Sequence, residues 1–425
     1  MLSIRERDSK VIWHPYTPMK YWPEAIGIVR GEGVYLFDES GNKYIDAISS
    51  WWVNLHGHSH PYIAGKVAAQ LKQLEHCMFA GFTHEPAVTL AERLLKILPD
   101  KMSKIFYSDN GSTAVEVAIK IALQYWVNKG IKKKKIVAIE GAYHGDTFGA
   151  MSVSARSIFT APFDDYLFEV EFIPFPGYYS DESIDKLETI LQSGEVAAFI
   201  AEPLVQGTAG MRMYDEITLA KYFELCKKQH ALIIADEVMT GFGRTGNLFA
   251  CDSIYPGPDM VCLSKGLTGG TMAMGITACT QDIFDAFYDD RGKTFYHGHS
   301  YTANPLACSA ALASLDLLQE EACKDRREQI AAMHSRFAET IIKTSVVKEV
   351  RYKGTILAIE FRTDENTSYN NKLRDIVYNF FLERKILIRP LGNIIYLMPP
   401  YCIQNHELNY IYEQIHELTE MLKLK

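Results

Sequence analysis

The sequence predicts an α/β fold: a mostly parallel central sheet with helices on both faces, followed by a smaller α+β domain. Short apolar runs rich in Val and Ile recur in the middle of the chain without polar alternation, as is typical of strands buried on both faces. Helical segments separate many of these runs, and such alternation favours a parallel sheet. The runs are residues 136–139, 197–201, 232–235, 260–263 and 275–279.

We expect three parts along the chain. Residues 1–54 form an N-terminal arm with short strands around a turn, and we expect this arm to pack with the small domain. Residues 55–310 form the large domain, where apolar residues from Ala114 to Tyr125 recur at helical spacing. Residues 311–425 form the small domain, with a long helix, strands near 354–361 and 394–398, and a terminal helix.

Composition excludes several classes of protein. The net charge of −8 gives no general electrostatic reason to bind nucleic acid, and the basic run at residues 132–135 is interpreted as a solvated connection. No apolar run is long enough to cross a membrane, and no apolar stretch follows the N-terminal charges as in a secretory signal. The eight scattered cysteines favour reduced thiols over disulfides or a zinc site. We therefore expect a cytoplasmic protein.

Polar residues follow several apolar runs, where ligands bind in open parallel sheets. Asp236 follows residues 232–235, and Lys265 comes two residues after residues 260–263. Tyr143 follows residues 136–139, and Gly111-Ser112 opens the helix after residues 104–107. Taken singly, these are more often a solvated lysine, a turn cap and an ordinary helix N-cap. Their placement on one side of the sheet favours a shared site.

Pyridoxal-phosphate chemistry requires this set of groups. A lysine must form a Schiff base with the cofactor's aldehyde, and a carboxylate must keep the pyridine nitrogen protonated. The phosphate needs backbone N–H groups at a helix N-terminus, and the flat ring needs an aromatic neighbour. The sequence therefore predicts pyridoxal 5'-phosphate as the cofactor.

These residues lie in segments that resemble the class III aminotransferases, which are fold-type I pyridoxal-phosphate enzymes. The resemblance covers essentially the whole chain, with the segments in the family's order. They are Asp-Asn-Gly-Ser-Thr-Ala-Val-Glu, Ala-Tyr-His-Gly-Asp-Thr, Glu-Pro-Leu-Val-Gln-Gly, Ala-Asp-Glu-Val-Met-Thr-Gly-Phe-Gly-Arg-Thr-Gly and Leu-Ser-Lys-Gly-Leu.

The resemblance implies a role for each residue around the cofactor ring. Lys265 would carry the cofactor covalently and move the proton, and Asp236 would pair with the pyridine nitrogen. Val238 would pack on one face of the ring and Tyr143 on the other.

The resemblance also implies a homodimer with shared active sites. Gly111 and Ser112 would hold the phosphate from within the chain, and Ser300 would reach it from the partner subunit. Gly298, in the same segment as Ser300, would line the substrate site.

Three further segments resemble the branch of the family that transaminates 8-amino-7-oxononanoate in biotin biosynthesis. Tyr16, Trp51, Trp52 and Tyr396 would line the site and bury the apolar chain of this keto acid, and Arg389 could fork onto its carboxylate. Core packing is the usual explanation of paired tryptophans. The segments are Trp-His-Pro-Tyr-Thr-Pro-Met, Ser-Ser-Trp-Trp and Ile-Arg-Pro-Leu-Gly-Asn-Ile-Ile-Tyr-Leu-Met-Pro-Pro-Tyr.

The resemblance leaves two amino donors open. The branch usually uses S-adenosyl-L-methionine, and a minority of similar sequences uses lysine. The segment His-Gly-His-Ser-Tyr around Ser300 and the residue Leu391 depart from the adenosylmethionine pattern. The match at Tyr16 and the tryptophan pair still favours S-adenosyl-L-methionine.

Two patterns resemble ligand-binding motifs but are interpreted as ordinary loops. Residues 241–246 match the dinucleotide-binding fingerprint, but they neither directly follow a strand nor open a clear helix, so we expect a loop that carries Arg244. His56, His58 and His60 alternate without a carboxylate or cysteine partner, so we expect no metal site and a loop packed by its histidines.

Three rival functions remain open. The nearest is another class III enzyme acting on an ω-amino acid, which Tyr16 and the tryptophan pair disfavour. The second keeps the fold but is a racemase, mutase or decarboxylase, which the fold cannot exclude. The third is a non-catalytic protein, which Lys265 and Asp236 disfavour. The roles of Glu202 and Arg244 are not predicted.

Overall fold

A seven-stranded sheet forms the centre of the computed structural model, which describes residues 2–20, 25–99, 101–177 and 181–424. Alternate residues of its strands belong to two separate apolar clusters, as expected for a sheet covered on both faces. The predicted α/β class is confirmed. In spatial order the strands are Met102–Ser108, Gly275–Thr280, Met260–Leu263, Leu232–Asp236, Val196–Ala201, Lys135–Ile139 and Glu171–Ile173.

The sheet is parallel except at one strand. Gly275–Thr280 runs antiparallel to both of its neighbours, and the other strand pairs are parallel. Glu171–Ile173 adds an edge strand that the sequence analysis did not identify. The carboxyl ends of the parallel strands therefore lie along one edge of the sheet.

Helices cover both faces of the sheet. Gly111–Asn128 packs against it with nine buried residues, and Asn110 caps the N-terminus of this helix by accepting the N–H of Thr113 at 2.9 Å. The α-helices are Ile4–Val11, Pro61–Gln73, Glu85–Leu95, Gly111–Asn128, Phe148–Val153, Asp181–Leu191, Glu216–Lys228, Gln281–Asp285, Pro305–Leu318, Glu321–Ile341, Leu373–Glu383 and Asn405–Lys423, and Ser49–Trp52 forms a single turn with positive φ angles.

The N-terminal arm shares a sheet with the C-terminal part of the chain. Ile28–Glu32, Tyr35–Asp38 and Lys43–Asp46 pair in an antiparallel meander, and Ile386–Leu387 adds a parallel strand beside Lys43–Asp46. This pairing brings the segment before Arg389 against the arm.

The small domain is built on three antiparallel strands. Val347–Lys353, Ile356–Phe361 and Ile394–Leu397 form this sheet, and Glu321–Ile341 packs against the first two of its strands. The expected boundary between residues 310 and 311 falls inside the helix Pro305–Leu318, which also contacts Pro61–Gln73 and Glu85–Leu95.

No helix in the described part of the chain is both long enough and apolar enough to span a membrane. All eight cysteines are free thiols. In the basic run, Lys133 donates to the carbonyls of Gln229 and His230 at 2.9 and 2.7 Å, and Lys135 lies 2.8 Å from a carboxylate oxygen of Glu195.

Candidate active site

The strand ends open into a cavity of about 660 Å³, which brings together most of the predicted residues. Its wall combines the ends of three parallel strands with the N-terminus of the helix Gly111–Asn128. The predicted residues that line it are Trp52, Gly111, Ser112, Tyr143, Asp236, Val238 and Lys265.

Lys265 is the buried amine of this cavity. It follows the strand Met260–Leu263 and begins a short 3-10 turn. Burial lowers the pKa of Lys265, against the opposing charges of Asp236 and Glu202. Its Nζ lies 4.5 Å from the ring centre of Trp52, and within the described residues no atom forms a hydrogen bond with it. The amine is therefore available to a ligand in the cavity.

Asp236 is held by a histidine that the sequence analysis did not single out. The Nδ1 of His144 lies 2.6 Å from Oδ2 of Asp236, and both side chains are buried. The N–H of Val238 donates to the other carboxylate oxygen at 3.1 Å. His144 directly follows Tyr143, so its position in the segment Ala-Tyr-His-Gly was the only available signal.

Glu202 fixes the loop that carries Tyr143. One carboxyl oxygen accepts the N–H of Tyr143 at 3.0 Å, and the other accepts the N–H of Gly207 at 2.9 Å. The pKa of Glu202 is raised to about 7, mainly by burial and also by the neighbouring Asp236, while His144 opposes the rise. Its role is thus to position the aromatic wall.

The start of the helix Gly111–Asn128 lines the cavity through Gly111 and Ser112. The first N–H groups of a helix have no partner within it and carry a partial positive charge. The Ser112 hydroxyl lies 2.8 Å from that of Thr147 and accepts the Thr147 N–H at 3.0 Å. A Cβ on Gly111 would meet Val238 at 2.7 Å, so only glycine lets this turn approach so closely.

These residues fit pyridoxal phosphate. The cavity offers a buried amine without a competing acceptor, a fixed carboxylate and a helix N-terminus for a phosphate. Tyr143 and Val238 both line it, as expected of side chains on the two ring faces.

The predicted substrate residues meet beside this cavity. The Tyr16 hydroxyl lies 3.2 Å from that of Tyr143 and donates to Asp146, which was not predicted. The rings of Tyr16 and Trp51 are 5.3 Å apart, and the guanidinium of Arg389 lies 4.7 Å from the Trp51 ring centre. Arg389 also donates to the carbonyl of Tyr16 at 3.2 Å.

The two tryptophans sit on a left-handed turn. The four residues of Ser49–Trp52 all have positive φ, of 52°, 44°, 73° and 76° in order. This conformation is costly for side chains other than glycine and persists where surrounding contacts impose it. Ser49 donates to the carbonyl of Met398 at 2.7 Å, and the ring of Tyr396 packs edge-on against Trp52 at 6.0 Å.

Arg244 supports the end of this turn. The residues 241–246 form turns rather than a nucleotide-binding helix start, and the buried guanidinium of Arg244 points at backbone oxygens. It donates to the carbonyls of Trp52 and Asn54, both at 3.3 Å, and of Pro399 at 2.9 Å. Arg244 therefore ties the turn to the small domain.

Gly298 and Ser300 do not join this site within one chain. Both are exposed and line a different cavity with His76, Phe79 and Tyr107. The role of Ser300 in a partner's site and that of Gly298 in the substrate site therefore stay predictions.

Two of the three alternating histidines have separate partners, and one of these partners is the carboxylate of Asp46. His56 lies 3.0 Å from the Ser314 hydroxyl, His58 lies 2.9 Å from Asp46, and the rings of His56 and His60 are 6.3 Å apart. Across the described ranges no three His, Cys, Asp or Glu side chains are placed to hold a metal ion.

Comparisons with known proteins identify relatives along nearly the whole chain. The family described as "Aminotransferase class-III" matches residues 16–419. The adenosylmethionine-8-amino-7-oxononanoate aminotransferase of Synechococcus elongatus is 48% identical over 420 residues, covering 96% of this chain and 98% of the relative. The crystal structure of the enzyme with the same name from Methanocaldococcus jannaschii matches with a TM-score of 0.94 at 36% identity, covering 98% of each chain. An omega transaminase from Pseudomonas jessenii, in complex with PMP, matches with a TM-score of 0.93 at 25% identity, covering 99% of each chain.

Proposed function

Because this chain belongs to the class III aminotransferases, we propose that it transfers an amino group to 8-amino-7-oxononanoate, with S-adenosyl-L-methionine as the donor. The chain is a pyridoxal-phosphate-dependent aminotransferase. When bound, the cofactor supplies an aldehyde that carries the amino group between the two substrates and a ring that withdraws electrons from the reacting carbon.

Each residue named around the cavity has a separate task. Lys265 holds the cofactor and moves a proton at the amino-bearing carbon, and burial lowers the pKa of its amine, which favours this role. Asp236, oriented by His144, stabilises positive charge at the ring nitrogen. The helix N-terminus at Gly111 and Ser112 binds the phosphate. Val238 and Tyr143 hold the ring between them.

The placement of the tryptophan pair is the observation that carries the substrate assignment. Trp52 lies 4.5 Å from Lys265 Nζ, and its neighbour Trp51 lies 4.7 Å from the guanidinium of Arg389. The pair thus spans from the reacting amine to an anion-binding group. A keto acid with an apolar chain between its reacting carbon and its carboxylate fits this arrangement. Its reacting carbon would lie at Lys265, its chain along the two tryptophans, and its carboxylate at Arg389.

The proposal extends to assembly and location. Gly298 and Ser300 lie on an exposed segment away from their own cavity, which supports a homodimer in which they complete the partner's site. Eight free thiols support a reducing compartment such as the cytoplasm.

Product analysis with alternative donors tests the proposed function. The purified enzyme with pyridoxal phosphate is incubated with 8-amino-7-oxononanoate and one donor at a time: S-adenosyl-L-methionine, lysine, 4-aminobutyrate or ornithine. We expect mass spectrometry to detect 7,8-diaminononanoate with S-adenosyl-L-methionine. The Lys265→Ala variant is the control and should give no product.

Each other outcome has a defined meaning. Product with lysine alone would keep the acceptor and replace the donor. Absence of product with every donor, together with consumption of 4-aminobutyrate or ornithine when an ordinary keto acid is supplied, would refute the proposed acceptor.

A further inference from the structure

Five side chains form a closed circle of contacts beside the cofactor cavity, and we name this circle the collar. Trp51 contacts Tyr16 with ring centres 5.3 Å apart, Tyr16 contacts Phe159 at 5.7 Å, and Phe159 contacts Tyr369 at 5.0 Å. Arg389 closes the circle, with a nitrogen 3.2 Å from the Tyr369 hydroxyl and its guanidinium 4.7 Å from the Trp51 ring centre. Phe159 and Tyr369 come from loops, and neither residue was predicted from the sequence.

The hydroxyl of Tyr369 accepts two hydrogen bonds from arginines. Nη2 of Arg389 and Nη2 of Arg374 each donate to it at 3.2 Å. A phenol oxygen has two lone pairs and one proton, so both of its acceptor positions are filled and its O–H remains a donor. Throughout the described ranges no oxygen or nitrogen accepts this proton.

The burial pattern indicates that Tyr369 is turned towards the site. It is half-buried, while its neighbours Ser368 and Asn370 are exposed. Arg374 behind it is only 7% exposed and stacks on the Tyr369 ring at 4.3 Å. Two guanidinium groups therefore flank one hydroxyl, which strengthens that hydroxyl as a donor to an anion.

We propose that Tyr369 is a further substrate-binding residue, whose hydroxyl donates to the carboxylate that Arg389 holds. In this arrangement the aromatic members of the collar surround the apolar chain, and Arg389 with Tyr369 selects an acid at its end. The proposal deepens the proposed function and rests on it for the identity of the keto acid. The recognition of a carboxylate on an apolar chain can be tested without turnover.

Calorimetric titration of the cofactor-loaded enzyme with nonanoate and with nonan-1-ol tests this proposal. The two probes share an apolar chain, and only nonanoate carries a carboxylate. We expect Tyr369→Phe to weaken nonanoate binding about tenfold, the usual effect of losing one hydrogen bond to a charged group, with nonan-1-ol unchanged. Tyr410→Phe is the matched control, because it also removes a small-domain hydroxyl, which donates to the carbonyl of Arg384 at 3.2 Å.

The two proposals fail in different ways. Nonanoate affinity within twofold of the unmodified enzyme in Tyr369→Phe would overturn the role of Tyr369, and so would equal weakening of both probes. Undetectable nonanoate binding to the unmodified enzyme would overturn it as well. Failure of 8-amino-7-oxononanoate to give product with any donor, while 4-aminobutyrate or ornithine is consumed with an ordinary keto acid, would refute the proposed function alone, because nonanoate binding does not depend on turnover. Equal thermal unfolding midpoints of Tyr369→Phe and Tyr410→Phe would show that Tyr369→Phe is folded, so that its loss of nonanoate affinity is not a loss of structure.

Discussion

At the scale of single residues, the site depends on buried charges that hold one another in place. Asp236 is nearly inaccessible to water, and a buried carboxylate is stable only when its oxygens are hydrogen-bonded. His144 satisfies one oxygen at 2.6 Å and the N–H of Val238 satisfies the other at 3.1 Å. His144 thereby fixes the direction of the Asp236 carboxyl group, so it acts as a positioning residue.

Removing this histidine should affect turnover more than acceptor binding. We expect His144→Ala to lower kcat about tenfold, the cost of one hydrogen bond to a charged group, with the acceptor's KM within about twofold. His144→Asn keeps a donor near Asp236 and should recover most of the loss. Steady-state kinetics of both variants check this, and a His144→Ala enzyme with unchanged kcat would contradict the positioning role.

Sequence could identify Lys265 and Asp236 because each comes at or just past the end of an apolar strand, and strand ends share one edge of a parallel sheet. It could not identify the contact of His144 with Asp236, which joins residues 92 apart in the chain. Which of two adjacent side chains, Tyr143 or His144, turns towards Asp236 depends on a loop held by Glu202. That loop conformation is set by tertiary packing and leaves no periodic signal.

At the scale of elements, the helix Gly111–Asn128 contributes its N-terminus and needs a glycine there. The Cβ of any other residue at position 111 would lie 2.7 Å from a methyl group of Val238. Val238 also lines the cavity, and its backbone N–H donates a hydrogen bond to Asp236. A larger residue at 111 would therefore disturb the proposed phosphate site and the ring wall together.

A pair of Gly→Ala variants separates this steric effect from helix propensity. Gly111→Ala should weaken pyridoxal-phosphate binding about tenfold, because an overpacked contact costs about 1–3 kcal/mol. Gly65→Ala lies in the helix Pro61–Gln73 with no atom within 4 Å of the new Cβ, so it should leave binding unchanged and stabilise by about 0.5–1 kcal/mol. Cofactor titration followed by fluorescence and urea unfolding measure both quantities; equal cofactor affinities in the two variants would rule out the steric argument.

The strands were predictable where burial on both faces made them continuously apolar, as in Val196–Ala201. The antiparallel direction of Gly275–Thr280 could not be predicted, because a buried strand has the same composition in either direction. The left-handed turn Ser49–Trp52 lacks glycine, the residue that usually marks positive φ. It is imposed by Arg244 and Met398, which are distant in the chain.

At the scale of the whole molecule, the proposed site draws residues from all three proposed parts of the chain. Tyr16 and the tryptophan pair come from the arm, Lys265 from the large domain, and Arg389 and Tyr396 from the small domain. The parallel pairing of Lys43–Asp46 with Ile386–Leu387 joins the N-terminal arm to the C-terminal part of the chain. Substrate affinity should thus be coupled to the packing of the arm against the small domain.

The stability of the whole chain should depend on pH through a second buried carboxyl, Glu237. Burial raises the pKa of Glu237 to about 7, although Thr240 and the N–H of Cys251 donate to it and oppose the rise. The folded state therefore keeps a proton that the unfolded state has already released. Stability from this group is fully present below about pH 4.5 and is lost as the pH rises through about 7.

Glu237→Gln removes this titration while it keeps an oxygen that can accept the Cys251 N–H. Relative to the unmodified enzyme, the variant should gain about 3 kcal/mol of stability between pH 5 and pH 8, because a pKa shift of one unit corresponds to about 1.4 kcal/mol. Glu202 and all other titratable groups are present in both proteins. The difference between their free energies of unfolding in urea therefore reports the titration of Glu237 alone. Glu328→Gln, which removes an exposed carboxyl, should show no such trend. If the difference between Glu237→Gln and the unmodified enzyme stays constant across this range, Glu237 is ionised in the folded state and burial does not govern its protonation.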